Sequence, residues 1–221
     1  MFHSMRSLLF IFIFLCPLSA QSNISLKILH NKDITPFITD IAKLGNKVFY
    51  EYPYLCDGTV EEYSPYFQEY ANSQKGVAVL LFDDTELIGL AIGMPFKAMH
   101  ESTPETAEPF TNHNVSAAYY LGDMVLDKQY RKKGYGRLLY TNFENTVKSM
   151  STFDTMYFCK INESNDHPLK PDGYSTFEPM WRKFGFIEHR EYTFLWDWKE
   201  RDKAQVSPHK MIYWSKSLNK E

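Results

Sequence analysis

The feature that most constrains this chain of 221 residues is a succession of three patterns: an apolar run over 117–126, the loop Arg131-Lys132-Lys133-Gly134-Tyr135-Gly136, and a helical stripe behind it. Leu139, Phe143, Val147 and Met150 recur at helical spacing, which predicts one buried face. Glycines at 134 and 136 lack the Cβ atoms that would keep a diphosphate at a distance, and they let backbone N–H groups converge on it. A helix opening at that point adds unpaired N–H donors and the positive end of its dipole. Arg131, Lys132, Lys133 and Arg137 surround the loop with positive charge. Together these make an anion site. It is not a Walker loop, which needs Gly-x-x-x-x-Gly-Lys-Ser/Thr. Nor is it a dinucleotide fingerprint, because Leu139 stands where the third glycine belongs and the strand comes late in the chain.

The rest of the sequence reads as one domain over 23–221, with no internal repeats or low-complexity linker. Residues 24–29 alternate as a strand, 34–49 look helical, and a second helix is expected over about 60–70 with Glu61 and Glu62 in its first turn. Residues 77–82 form a continuous apolar strand that turns through Asp83-Asp84-Thr85-Glu86 into a second strand over 87–94. Residues 96–116 are expected to be a long polar loop. Beyond the glycine loop the sequence predicts a strand at 155–161, a short helix at 174–183, and two aromatic strands in 186–198 and 211–214. Front hairpins mixed with helices indicate an α+β class, a mixed and mostly antiparallel sheet flanked by helices, not a doubly wound one.

With a net charge of −3 and no long basic run, nucleic acid is not an expected partner. Cys56 and Cys159 are too few and too far apart for a zinc signature, so no metal is expected. Cys159, inside an apolar run, is expected to be a small core residue.

The pattern Arg-x-x-Gly-x-Gly, within Leu121-Gly122-Asp123-Met124-Val125-Leu126-Asp127-Lys128-Gln129-Tyr130-Arg131-Lys132-Lys133-Gly134-Tyr135-Gly136-Arg137-Leu138-Leu139, resembles the GNAT superfamily of N-acetyltransferases. The later Trp181-Arg182-Lys183-Phe184-Gly185-Phe186 looks like that family's Gly-Phe signature. The resemblance implies acetyl-coenzyme A as co-substrate and an amine as acceptor, joined by direct transfer. It implies that the backbone of Met124, Val125 and Leu126 faces the pantetheine arm, and that 131–137 holds the pyrophosphate. Asn162 matches a position that often orders the coenzyme or a water. Asp123 stands where the family often has an acidic residue, which makes it either a general base or a carboxylate paired with a cation. The usual tyrosine acid is replaced by Trp181, whose indole N–H is no practical proton donor. Tyr174 is the nearest substitute, with packing as the alternative role. Glu101, Glu105 and Glu108 in the 96–116 segment favour a cationic small-molecule acceptor, and a peptide amine is the alternative. The expected assembly is a monomer or homodimer.

Residues 1–22 carry His3 and Arg6, an apolar run over 8–15, and small residues Ser19 and Ala20, the layout of a secretory signal. The run is shorter than the roughly 20 residues that span a bilayer, so no stable membrane span is expected. The alternative is a misassigned start. Export sits awkwardly with an acyl donor made in the cytoplasm, so the compartment stays open. Two further readings stand beside catalysis: a coenzyme-binding module without transfer, and an exported partner-binding protein.

Overall fold

A strand apolar on both faces must be covered on both faces, and the run beginning at Val77 is buried along its length. Ala78, Leu80 and Phe82 belong to one core, while Val77, Val79 and Leu81 belong to another on the opposite side of the sheet. The computed structural model describes residues 23–111, 113–163 and 166–219. The signal-like segment lies outside the described residues.

The chain opens with β1 (Ile24–His30), a 3-10 turn and α1 (Ile38–Phe49), followed by α2 (Val60–Asn72). The second helix starts where Thr59 accepts the Glu62 amide at 3.2 Å while the Glu62 carboxylate accepts the Thr59 amide at 2.8 Å. That reciprocal cap satisfies two otherwise open donors. Next come β2 (Val77–Asp83), β3 (Glu86–Pro95), α3 (Phe96–Ser102), β4 (Ala118–Leu126), α4 (Tyr135–Ser149) and β5 (Thr155–Ile161). The chain ends with α5 (Glu178–Lys183), β6 (Ile187–Lys199) and β7 (Val206–Ser217). These form one seven-stranded sheet in the order β1-β2-β3-β4-β5-β7-β6. Every neighbouring pair is antiparallel except β4 and β5. The expected mixed, mostly antiparallel architecture is the one observed.

Helices α1 and α2 cover one face, burying Ile41, Leu44, Phe67 and Tyr70. The other face is covered by α4, whose Leu139, Phe143 and Val147 are fully buried, together with Trp181 of α5. Met150, expected on the same stripe, is only partly buried at the helix end.

Two expectations are corrected. The 96–116 segment is not an open loop: after Pro95 it folds as α3 and then a 3-10 turn over Pro104–Phe110. Its apolar residues drive this. Phe96 is buried and stacks on Tyr120 and Tyr157, with centroids 5.5 and 4.9 Å away, and Phe110 closes over Tyr213 at 4.9 Å. The buried Tyr213 hydroxyl donates to the Thr106 carbonyl at 2.9 Å. The helix expected from Tyr174 begins at Glu178, so Tyr174 stands in the turn-rich stretch before it. Among the described residues, no helix is long and apolar enough to cross a membrane.

Phe143→Ala is expected to lower unfolding free energy by about 3–5 kcal/mol, because its ring is fully enclosed between α4 and the sheet. Asn145→Ala, on the exposed side of the same helix, is expected to change it by less than about 0.5 kcal/mol. Urea denaturation of the two variants measures both.

Candidate active site

The parallel pair β4–β5 is hydrogen-bonded only between Ala118–Tyr120 and Thr155–Tyr157. Beyond that point the strands diverge, and a cleft of about 320 Å³ opens between them. Its walls are Leu121 to Leu126 on one side and Phe158 to Ile161 on the other. Tyr52 and Tyr54, from the connection between α1 and α2, close a third side. Met124, Val125 and Leu126 lie along one wall of this cleft.

At one end stands the glycine loop. Gly134 is the N-cap of α4, with φ +87° and no side-chain cap, so the first-turn amides keep their donors open. A Cβ built at Gly134 would meet nothing within 4 Å, and one at Gly136 would meet only Met180 Sδ at 3.9 Å. The space in front of this helix end is thus open for an anion. Lys132, Gly134, Gly136 and Arg137 line the cleft. Lys133 and Tyr135 do not, and the Lys133 ammonium lies over the Tyr130 ring at 5.2 Å.

Arg131 is engaged within the protein. Its guanidinium is held by Glu51 at 2.7 and 3.2 Å, and its Nε donates to the Leu126 carbonyl at 3.0 Å. Its side chain therefore anchors the loop to the end of β4 and to the residues after α1. Lys47 of α1 pairs with the buried Asp127 just ahead of the loop. These two pairs fix the start of the loop and leave the positive charge facing the cleft to Lys132 and Arg137.

The opposite pole is acidic. A bulge in the β3–β4 ladder makes Gly122 the extra residue, between Leu121, opposite Gly93, and Asp123, opposite Ile92. A bulge re-aims the side chain beside it. Gly122 is required there because the Tyr70 hydroxyl would lie only 2.0 Å from any Cβ. That hydroxyl bonds to Tyr66 at 2.7 Å, and Tyr66 donates to the Asp123 carboxylate at 2.8 Å. Asp123 lies deep in the protein with one face open to the cleft. Burial pushes its pKa up to about 6, against the pull of the Tyr66 hydrogen bond. Among the described residues lining the cleft, Glu51 and Glu163 each have a cationic neighbour, Arg131 and Lys160, whereas Asp123 has none.

Cys159 lines the cleft beside Asp123 and shares a hydrogen bond with the Tyr120 hydroxyl at 3.0 Å. Burial raises its thiol to about 12, so it stays protonated and inert. Trp181 lines the cleft too, packed on Phe158 with centroids 4.3 Å apart. Tyr174 is not part of the lining. It stands behind Tyr52, edge-on at 4.7 Å, with its hydroxyl buried beside the Glu163 carboxylate. Burial, and then the Glu163 carboxylate, hold that hydroxyl above the ordinary tyrosine pKa. Asn162 is exposed and turns toward a smaller neighbouring cavity instead of the main cleft. Glu101, Glu105 and Glu108 do not line the cleft either. The sequence reading missed the 48–54 wall and Glu163. The tyrosine-rich stretch Tyr50-Glu51-Tyr52-Pro53-Tyr54 between two helices was the available signal.

The model of the Acetyltransferase (GNAT) family matches residues 46–170, more than half of the chain. Solved structures share the fold. An N-acetyltransferase from Staphylococcus aureus Mu50 is 14% identical, with 90% of this chain and 100% of that one covered at a TM-score of 0.57. A GNAT-family acetyltransferase from Streptococcus pneumoniae is 13% identical, with 88% and 100% covered at 0.54. The ribosomal-protein-S18-alanine N-acetyltransferase from Escherichia coli is 9% identical, with 90% and 96% covered at 0.52. A search of curated proteins found no match.

Gly136→Ala separates the two roles of the loop. Its backbone has an ordinary negative φ and its Cβ would meet only Met180 Sδ, so folding stability is expected to hold or to rise by up to about 1 kcal/mol. The methyl group would nonetheless stand in the cradle, so binding of inorganic pyrophosphate, read by calorimetry, is expected to weaken.

Proposed function

The chain belongs to the GNAT acetyltransferase family, and on that premise we propose that it moves an acetyl group from acetyl-coenzyme A to the primary amine of a small cationic acceptor. The observation that carries this reading is the cleft's polarity. One end is a helix N-terminus open to a diphosphate, and the other holds Asp123, a carboxylate with no cationic partner among the described residues. The coenzyme's pyrophosphate would rest on the 132–137 backbone, with its pantetheine arm beside Met124, Val125 and Leu126. An ammonium group would then be drawn to Asp123.

An amine with a pKa of about 10.4 is almost wholly protonated at neutral pH and cannot attack until it loses a proton. Asp123, ionised above about 6, accepts that proton. The free amine adds to the thioester carbonyl, and the tetrahedral adduct collapses as the C–S bond breaks to release the thiolate. The adduct's second N–H proton passes to solvent, from which the proton donor to the thiolate is restored. Tyr174 is the proposed proton donor to that thiolate, reached by a shift of the Tyr52 ring that separates it from the cleft. Its hydroxyl stays protonated, held so by burial and by the neighbouring Glu163 carboxylate.

A second reading, a coenzyme-binding module without transfer, is favoured by one observation. The position where the family places its tyrosine is a buried tryptophan, Trp181. Saturable coenzyme binding with no thiol release across a broad amine panel supports that reading over catalysis.

Since Asp123 acts only when ionised, kcat/KM for an accepted amine is expected to fall about tenfold per pH unit below about pH 6. Asp123→Asn should lower the rate by about 10²–10⁴-fold and flatten that limb. A rate unchanged in Asp123→Asn sinks the assignment. Tyr174→Phe is expected to cut turnover strongly while sparing coenzyme affinity, and turnover equal to wild type removes Tyr174 from the mechanism.

A further inference from the structure

Beside the main cleft lies a second cavity of about 100 Å³, whose lining includes His167, Glu200, His209 and Asn162. Glu200 is only 7% exposed, and its backbone is fixed by a bridge to Cys56 and by the Arg201 amide bonded to the Leu55 carbonyl at 2.7 Å. A carboxylate this buried normally has a cation or several donors at hydrogen-bond distance. Its ion-pair contacts among the described residues are two imidazoles, His167 Nε2 at 3.5 Å from one oxygen and His209 Nδ1 at 3.6 Å from the other. Lysine 203 pairs instead with Asp202, at 3.6 Å.

The orientation of the rings sharpens this. His209 stacks on Trp198, with centroids 3.6 Å apart, and its Nε2 lies 3.4 Å from both the Trp198 carbonyl and Ser207 Oγ. A carbonyl can only accept, so Nε2 is the ring nitrogen that donates there, and Nδ1 faces the Glu200 carboxylate. On the other side, His167 Nε2 is buried without a hydrogen-bond partner among the described residues. Together with Glu200 and Asp202 it presents three donor atoms that all lie within 4.8 Å of one another. The His167 Nε2–Glu200 Oε2 separation of 3.5 Å is long for a hydrogen bond and close to the edge, about 3.4 Å, of a tetrahedron with metal–ligand bonds of about 2.1 Å.

We propose that His167, Glu200 and Asp202 form a binding site for one divalent transition-metal cation of the zinc type, with His209 bracing the second carboxylate oxygen. One imidazole and two carboxylates are hard-to-borderline donors that suit such an ion better than magnesium, which prefers all-oxygen octahedral shells. The site is separate from the acetyl-transfer cleft, although Tyr52, Ile161 and Glu163 line both. Binding has a local consequence. The Leu169 amide now donates to His167 Nδ1 at 3.1 Å, which places the ring proton on Nε2. An ion at Nε2 moves that proton to Nδ1, so the Leu169 amide must give up its acceptor.

The test uses the untagged full chain, stripped with chelator and titrated with zinc chloride, with magnesium chloride as the comparison. The expected result is one equivalent of zinc, no saturable magnesium binding, and a shift of the Leu169 amide resonance on loading. Glu200→Gln and His167→Ala should each weaken zinc binding at least about tenfold. Asp202→Asn, on an exposed turn, is the check should Glu200→Gln fail to fold, and it too should weaken binding. No saturable zinc binding by the folded wild type overturns the site. So does undiminished affinity in folded Glu200→Gln, or in Asp202→Asn where Glu200→Gln does not fold.

Discussion

The main cleft of this molecule depends on two parallel strands ceasing to pair. After Tyr120 and Tyr157, β4 and β5 no longer share a ladder, and the peptide groups released from it border a cleft. Backbone donors and acceptors left this way are costly unless something bonds them. A binding cleft is where that cost becomes useful, because an extended polar ligand arm can take up the open positions. The cores on both sides make the divergence possible. The α1–α2 face and the α4 face each hold the sheet independently, so neither needs a continuous β4–β5 ladder to close.

Charge is then distributed by removing it from some groups and sparing others. Arg131 and Lys47 look equivalent to Lys132 and Arg137 in the sequence, but Glu51 and Asp127 engage them. They serve as anchors between α1 and the loop, while the exposed Lys132 and Arg137 and the open end of α4 hold the attraction for an anion. At the other pole the same logic applies with opposite sign. Glu51 and Glu163 are neutralised by neighbouring cations, and among the described residues Asp123 is left with the Tyr66 hydroxyl. The bulge at Gly122 and the Tyr70–Tyr66 pair that fills the space beside it aim that carboxylate into the cleft.

The parts of this arrangement that were legible in the sequence are those encoded by local period and spacing. The β2–β3 hairpin, the α4 stripe, the glycine loop and the strand along the cleft follow from neighbours within a few residues, and all are where the pattern places them. What stayed hidden depends on packing between distant segments. The 96–116 segment reads as polar, yet four aromatic partners from β4, β5 and β7 and the 3-10 turn fold Phe96 inward. Tyr174 was placed on a helix because its neighbours suit one, but the helix starts only at Glu178, leaving Tyr174 behind Tyr52. The Arg131–Glu51 pair spans 80 positions, and no spacing rule announces it. The same holds for Glu200 and His167, which meet only because the β6–β7 turn folds back beside the loop after β5.

The central claim is that the mouth of α4 receives the pyrophosphate of acetyl-coenzyme A. The most direct measurement is calorimetry of the chain from residue 23 onward with acetyl-coenzyme A, beside Gly134→Glu. That substitution sets a carboxylate in the open space before the helix, where nothing now lies within 4 Å of a Cβ. Saturable binding by the wild type that disappears in a folded variant is the predicted result. A well-folded wild type that does not bind the coenzyme, or a Gly134→Glu variant that binds it equally well, contradicts the account.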